Sequence, residues 1–383
     1  MAGDRTRIDC LEGNHARRYT TIAYISTTTL INMILFIYRG QLLFILSRAT
    51  NTTPGEDQLE YRHLRLLDPR GLLLEIIFSV VWRIGIPEMW KSSKTVSIYK
   101  KGDTKDISNF RPISLLSTMH KIFSGALSQR ITSVAADLGW LSPEQKGFLP
   151  GVNGIQEHTQ LLQTVVEFAK DKSNKSNLSL AFLDLRNAFG SIPHPIINEL
   201  LYSLPIPVGL RNIILDIYSA NLMNFSIGKE VIPIRPTAGV RQGDALSTIV
   251  FNLAAEPIIR SAKNSPGFLL YGTVTKVTAF ADDLALMASS VDDLQNSLIR
   301  VNCTAETLGL EFNASKCVCM NVIKGKILPA SLYIAGGSLR SLKDGDTQDY
   351  LGIPIGAKLQ FRTDTQLIGH LDKLKDAPLL PWQ

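Results

Sequence analysis

Cysteine is scarce in this chain, four in 383 residues, and Cys10, Cys303, Cys317 and Cys319 match no zinc-ligand spacing. A zinc-built domain is excluded on that ground, and a reduced, intracellular protein is the natural inference. The six histidines are scattered, and no Ser, His or Cys constellation suggests nucleophilic catalysis. Internal repeats and low-complexity blocks are absent too, which excludes a solenoid. Charge of one sign is only mildly in excess: net +6, pI near 9.0, a bias that suits a polyanionic partner without requiring one. The one long uncharged run, Thr20 to Tyr38, is flanked by Arg17, Arg18 and Arg39 and has no small-residue cleavage site after it. A run of that length can span a bilayer. Its threonines, Ser26 and Asn32 favour a buried helix or a leader over a membrane span.

What is abundant is apolar residue, 45% of the chain, ample for a packed core of two or three subdomains. Phe280-Ala281-Asp282-Asp283 is the most informative stretch within it. Two adjacent carboxylates sit between the apolar runs Val277 to Ala281 and Leu284 to Ala288, a pattern that predicts a hairpin with the acids at its tip. An isolated Asp-Asp is most simply an acidic surface turn. A third carboxylate in a similar setting, Asp184 at the end of Leu180-Ala181-Phe182-Leu183, turns the reading toward a cation site. Positive charge gathers elsewhere: Arg83 to Arg130 holds nine basic residues against three acidic.

Along the chain, residues 51–57 are loop formers that close an N-terminal segment. Thr95 to Tyr99 reads as a strand, and Met119, Ile122, Phe123, Ala126, Leu127, Ile131 and Val134 as a helix stripe. A helix over Ile155 to Phe168 and the strand ending at Asp184 follow. Helices around Ile196 to Leu201 and Leu210 to Ala220 come next, then a hairpin over Phe225 to Ile234. Asp244 and Ser290 are candidate caps of two later helices. The order predicts an α+β layer, an antiparallel sheet with helices on one face and the other face open. Three carboxylates on that open face can hold two divalent cations roughly 3.5 to 4 Å apart, the arrangement of in-line phosphoryl transfer.

Four segments in order then carry a resemblance: Asn109-Phe110-Arg111-Pro112-Ile113-Ser114-Leu115; Phe182-Leu183-Asp184-Leu185 with Ala188-Phe189; Gly239-Val240-Arg241-Gln242-Gly243-Asp244-Ala245-Leu246-Ser247; and Phe280-Ala281-Asp282-Asp283. With Gly309-Leu310-Glu311-Phe312-Asn313, Lys316 and Tyr350-Leu351-Gly352 downstream, the set resembles the reverse transcriptase domain of LINE-like retrotransposons, those lacking long terminal repeats. It covers roughly Arg83 to Gly356. The resemblance implies a right-hand polymerase palm plus fingers, copying an RNA template from a DNA primer with deoxynucleoside triphosphates. It implies two Mg2+ ions, with Mn2+ as a substitute, and no small-molecule cofactor. Asp184, Asp282 and Asp283 match the metal ligands, with the main chain of Leu185 beside them. Phe189 matches the residue that excludes a 2′-hydroxyl, Gln242 and Gly243 the turn under the template base and nucleotide. Arg111, with Lys100 and Lys101, matches the triphosphate and template side, and Lys316 the proton donor to pyrophosphate. Phe189 also reads as a core aromatic, and Lys316 as a solvated lysine.

Gly190 stands where the family has an acid, and Asn187 where a basic residue is common. The expected division is an N-terminal segment 1–50, a linker and start of fingers 51–80, the reverse transcriptase domain 81–357 and a short tail 358–383. On that division the thumb is largely missing, as in a fragment or decayed copy, so a catalytically silent nucleic-acid-binding remnant is the second reading. A nucleotide cyclase also pairs acids on a palm-like layer, but it has no use for Phe110-Arg111-Pro112 or the Gly243 turn.

Overall fold

A computed structural model describes residues 37–100, 102–106, 109–219, 221–227 and 230–356. Cys10, Lys101, the tail and the uncharged run before Ile37 lie outside the described residues. Helices α1 (Arg39–Arg48), α2 (Tyr61–Leu67) and α3 (Leu72–Ile84) come first, then strands β1 (Ser92–Tyr99) and β2 (Phe110–Leu115). Helices α4 (Thr118–Asp137) and α5 (Gly154–Lys170) lead to β3 (Leu178–Leu183). Helices α6 (His194–Ser203) and α7 (Val208–Ser219) precede strands β4 (Leu222–Ile227) and β5 (Glu230–Ile234) and helix α8 (Ala245–Lys263). A small hairpin, β6 (Phe268–Leu270) and β7 (Thr273–Thr275), is followed by β8 (Val277–Phe280) and β9 (Asp283–Ala288). Helix α9 (Val291–Thr307), β10 (Val318–Ile323) and the hairpin β11 (Thr347–Tyr350) and β12 (Ile353–Gly356) are the last of the longer elements. Among the described residues no helix is long and apolar enough to cross a membrane.

Two sheets organise these elements. One has the order β2-β1-β4-β5, with β1 and β4 parallel and the outer pairs antiparallel. The other has the antiparallel run β10-β3-β9-β8, with two short strands also on β10, Lys326–Ile327 antiparallel and Arg340–Ser341 parallel. The second is a palm-like layer, and the fold is α+β. Local signals set its helix starts: the Asp244 carboxylate accepts from the Leu246 amide to open α8, and the Ser290 hydroxyl accepts from the Asp293 amide to open α9. Such caps satisfy amides that the first helical turn leaves unpaired.

Central strand β3 is buried along its whole length. Ala181 and Leu183 join the core formed with α8 and α9, whereas Leu178, Leu180 and Phe182 pack with Leu162, Val165, Val166 and Ala169 of α5. The face expected to be open is therefore covered in part by α5 and by Tyr350 and Ile355 of the last hairpin. Alternation along a strand sends side chains to both faces, and the apolar residues of β3 fill both. Helix α1 joins the larger core too, where Gln41 Nε2 donates to the Ala126 carbonyl of α4.

His158 on α5 is 2% exposed and its Nδ1 has no hydrogen-bond partner. Burial, aided by the nearby Lys146 charge, pushes its pKa down to about 4. A group that protonates more easily unfolded than folded drains stability as pH falls through the gap, here from its ordinary value near 6.5 toward 4. The loss at the acid end is up to about 3 kcal/mol. Chemical denaturation at pH 7 and pH 4.5 is expected to give a smaller difference for His158→Gln than for the wild type, and equal differences would remove His158 from the acid response.

Candidate active site

The β3–β9 pairing decides where the acids lie. Leu183 stands opposite Leu284, so one residue further Asp184 comes alongside Asp283 at the same sheet edge. On the other side of β9, Phe280 pairs with Asp283 and leaves Ala281 and Asp282 as a two-residue turn. Ala281 adopts a left-handed backbone (φ 54°), which costs a non-glycine residue on the order of 1 kcal/mol or more.

The three charges feel one another. Burial, then the neighbouring Asp282 and Asp184 charges, push the Asp283 carboxyl up to about 6, against the pull of Lys100. Asp282 is raised as well, first by burial and then by Asp184, with Lys100 and Arg111 opposing. Lys316 Nζ lies 3.4 Å from Asp184 Oδ2, an ion-pair distance, although that buried oxygen accepts no hydrogen bond. As the side chains stand, no three acids, histidines or cysteines among the described residues are gathered closely enough to enclose a cation. The three aspartates share one sheet edge with coupled charges without forming a closed ligand set. Mutual repulsion spreads like charges, and Lys316 draws on Asp184. In kind the donors suit magnesium, which takes hard oxygen and keeps waters and substrate phosphates in its shell. Leu185 pairs with Phe312 in an isolated bridge whose bonds use the carbonyls of Asp184 and Glu311, so the Leu185 carbonyl is outside that ladder.

Across from the acids, Arg111 sits exposed on β2 and Lys100 just past β1. Both reach Asp282 electrostatically. The basic stretch is not one uniform face. Lys91 is buried in ion pairs with Glu88 and Asp216, Lys121 donates to the Thr53 carbonyl, and Arg130 donates to Gln41 inside the core. The turn at Gln242 and Gly243 docks on the same sheet: the Ser114 amide donates to the Gln242 carbonyl at 2.9 Å. Gly243 (φ 111°) brings its backbone so close that a Cβ would lie 2.8 Å from the Ser114 carbonyl oxygen. Beneath the turn, Arg241 is buried and donates to the carbonyls of Trp90, Lys91 and Ile217. Asp244 is buried against His120, Nε2 to Oδ2 2.8 Å. Burial works to raise the Asp244 carboxyl, but the His120 ring and Arg241 outweigh it and hold it at about 2.

Residues 98–355, well over half of the chain, match the family described as reverse transcriptase (RNA-dependent DNA polymerase). The chain belongs to the reverse transcriptase family. Among curated proteins it is 30% identical over 319 residues to the Pol polyprotein of a type-1 retrotransposable element R2 from Nasonia vitripennis, covering 81% of this chain and 30% of that protein. It is 31% identical over 350 residues to that of the type-2 element R2DM from Drosophila melanogaster, covering 88% of this chain and 32% of that protein. These relatives are polyproteins of retrotransposable elements, the kin to which the motifs pointed. The chain spans about a third of their length. Among solved structures, telomerase from Candida Tropicalis with a fragment of telomeric RNA aligns at a TM-score of 0.48 and 12% identity, over 82% of this chain and 52% of that one.

In this reverse transcriptase chain, Phe189 is half-buried against the larger core. Its ring stacks on Phe251 of α8 (centroids 4.3 Å, 11° between planes) and lies T-shaped to Phe148, centroids 6.3 Å apart. Phe148 is 58% exposed, in a left-handed conformation (φ 60°), and also touches Phe280 at 5.7 Å. A bulky residue held there is a strained one. At Gly190 a side chain has no room as Asn187 stands. A Cβ on Gly190 would lie 2.4 Å from the Asn187 side chain, and one on Gly239 would lie 2.8 Å from the Gly190 backbone. Sequence reasoning missed the segment Gln145 to Phe148 that borders the acid turn. Its signal, a glycine and an aromatic in the loop between α4 and α5, has no periodicity to detect.

Proposed function

We propose that this chain is an RNA-directed DNA polymerase that adds deoxynucleotides to a DNA primer on an RNA template by two-cation phosphoryl transfer. One observation carries the reading: the β3–β9 register sets Asp184 beside the Asp282 and Asp283 turn, where both turn carboxyls are raised and feel Lys100, and Asp282 feels Arg111 as well. Asp184, Asp282 and Asp283, with the Leu185 carbonyl, would hold magnesium. When bound, magnesium supplies a lowered pKa at the attacking hydroxyl and charge neutralisation at the leaving pyrophosphate. Lys100 and Arg111 bind the triphosphate or template backbone from the fingers, and Lys101 adjoins them in sequence. Gln242 and Gly243 form the floor under the template base, where absence of a side chain permits close approach. Phe189 walls the sugar. Lys316, already at Asp184, gives a proton to the pyrophosphate.

Magnesium-dependent extension of a DNA primer on an RNA template by the 383-residue chain tests the reading. Template binding without extension would instead establish the silent remnant.

Template binding is expected to be electrostatic and largely independent of sequence. Replacing Lys100 and Arg111 together by Ala is expected to flatten the slope of log affinity against log salt by roughly 1.4, at about 0.7 per single-strand phosphate contact. Filter binding across a salt series reads that slope, and an unchanged value would place both residues off the nucleic-acid path.

A further inference from the structure

We propose that Gln145 is a positioning residue for the acid turn, acting through the Ala281 backbone; the consequence for catalysis rests on the polymerase reading above. In a two-residue hairpin the ladder leaves the first turn amide unused, and a left-handed first residue is best supplied by glycine. Here that residue is Ala281, buried, at φ 54°. Something outside the hairpin has to hold it. Gln145, 1% exposed, does so: its Oε1 accepts from the Ala281 amide at 2.8 Å and from the Gly147 amide at 2.9 Å. Both donors would otherwise be buried without partners, and such groups are nearly always satisfied.

The supporting segment is itself fixed from two sides. The Ala279 amide donates to the Glu144 carbonyl and the Lys146 amide to the Ala279 carbonyl, each at 2.9 Å, so Gln145 runs as a short parallel neighbour of β8. From α8, the buried Asn252 donates through Nδ2 to the Gly147 carbonyl at 2.8 Å. Gly147 allows the close approach, since a Cβ there would lie 2.3 Å from the Ala281 nitrogen. A side chain 136 residues upstream thus sets the backbone from which Asp282 projects. Ligand-bearing groups need such supports, because small errors in their placement cost cation affinity and rate.

The test uses the full chain with Gln145→Met, which keeps length and loses the acceptor, and Gln145→Glu, which keeps an acceptor for both amides. Three quantities are read: hydrogen exchange of the peptide spanning 278–284, Mn2+ affinity by electron paramagnetic resonance, and primer-extension kinetics. For Gln145→Met the turn is expected to exchange faster, Mn2+ affinity and kcat to fall by roughly 10- to 100-fold, and KM for the nucleotide to stay within about twofold. Gln145→Glu is expected to recover slow exchange at the turn. Gly147→Ala, which displaces Ala281 directly, gives the same readouts should Gln145→Met fail to fold. Wild-type exchange and Mn2+ affinity in a folded Gln145→Met would overturn the proposal while leaving an active polymerase intact. Faster exchange and weaker Mn2+ binding in a chain that never extends a primer would keep the support and remove the polymerase reading instead.

Discussion

Asp184→Asn and Asp282→Asn are each expected to abolish primer extension, by roughly 10³-fold or more, since each removes an anionic ligand where charge develops in the transition state. The two replacements attack one site from different strands, β3 and the β8–β9 turn. Equal losses from both, with the basic side untouched, would tie the acids together as a unit. Template affinity is expected to stay within about twofold, because the phosphate contacts proposed for Lys100 and Arg111 do not pass through the acids. Stability supplies a control with a definite sign. The Asp282 carboxyl is raised by burial and by Asp184, so its ionised form weakens the fold at neutral pH. Thermal melting of Asp282→Asn without divalent cation should therefore be no lower than wild type at pH 8. Extension at near wild-type rate by either variant would remove the two-cation assignment. A large drop in melting temperature would instead assign the acids to folding.

Much of this centre was legible because its signals are local. The acid turn is flanked by apolar runs that β8 and β9 bury, and Asp184 directly follows a fully buried strand. The Asp244 and Ser290 caps announce themselves within three residues of the amides they satisfy. Periodicity marked α4 and α5, with the structure adding a turn or less at their ends.

What periodicity does not carry is the partner of each face. The apolar stripe of α5 predicts a buried helix, but nothing local says that it covers the side of β3 opposite α8 and α9. The parallel pairing of β1 with β4 joins segments more than a hundred residues apart, and no turn chemistry forecasts it. Gln145 is hidden for the same reason: one polar side chain satisfying a distant amide leaves no pattern. The basic stretch misled by being counted as sequence. Lys91 and Arg130 carry charge there, yet they spend it on Asp216, Glu88 and Gln41 within the fold. The turn at Gly243 was legible, but the neighbour that requires a glycine there, the Ser114 carbonyl, lies on β2, more than a hundred residues upstream.

Phe189→Ala is expected to raise ribonucleotide incorporation relative to deoxyribonucleotide by roughly 10- to 200-fold, the range that removal of steric bulk from a substrate pocket produces. On the proposed role, the stacked contact with Phe251 restrains one ring face and the T-shaped contact with Phe148 restrains it further, which would oppose a swing aside to admit a 2′-hydroxyl. Rigidity would make such discrimination steep, since a wall that yields rejects little. The same stacking means that truncation also removes core packing. A loss of about 3 kcal/mol or somewhat less is expected for a partly buried ring, visible as a lower denaturation midpoint. The two effects separate through Phe189→Leu, which fills the core side while shortening the wall. It is expected to recover most of the stability and only part of the sugar discrimination. Single-nucleotide incorporation kinetics with matched ribo- and deoxyribonucleoside triphosphates give the ratio for each variant. If both variants lose stability and neither changes that ratio, Phe189 is a core aromatic and the sugar wall lies elsewhere.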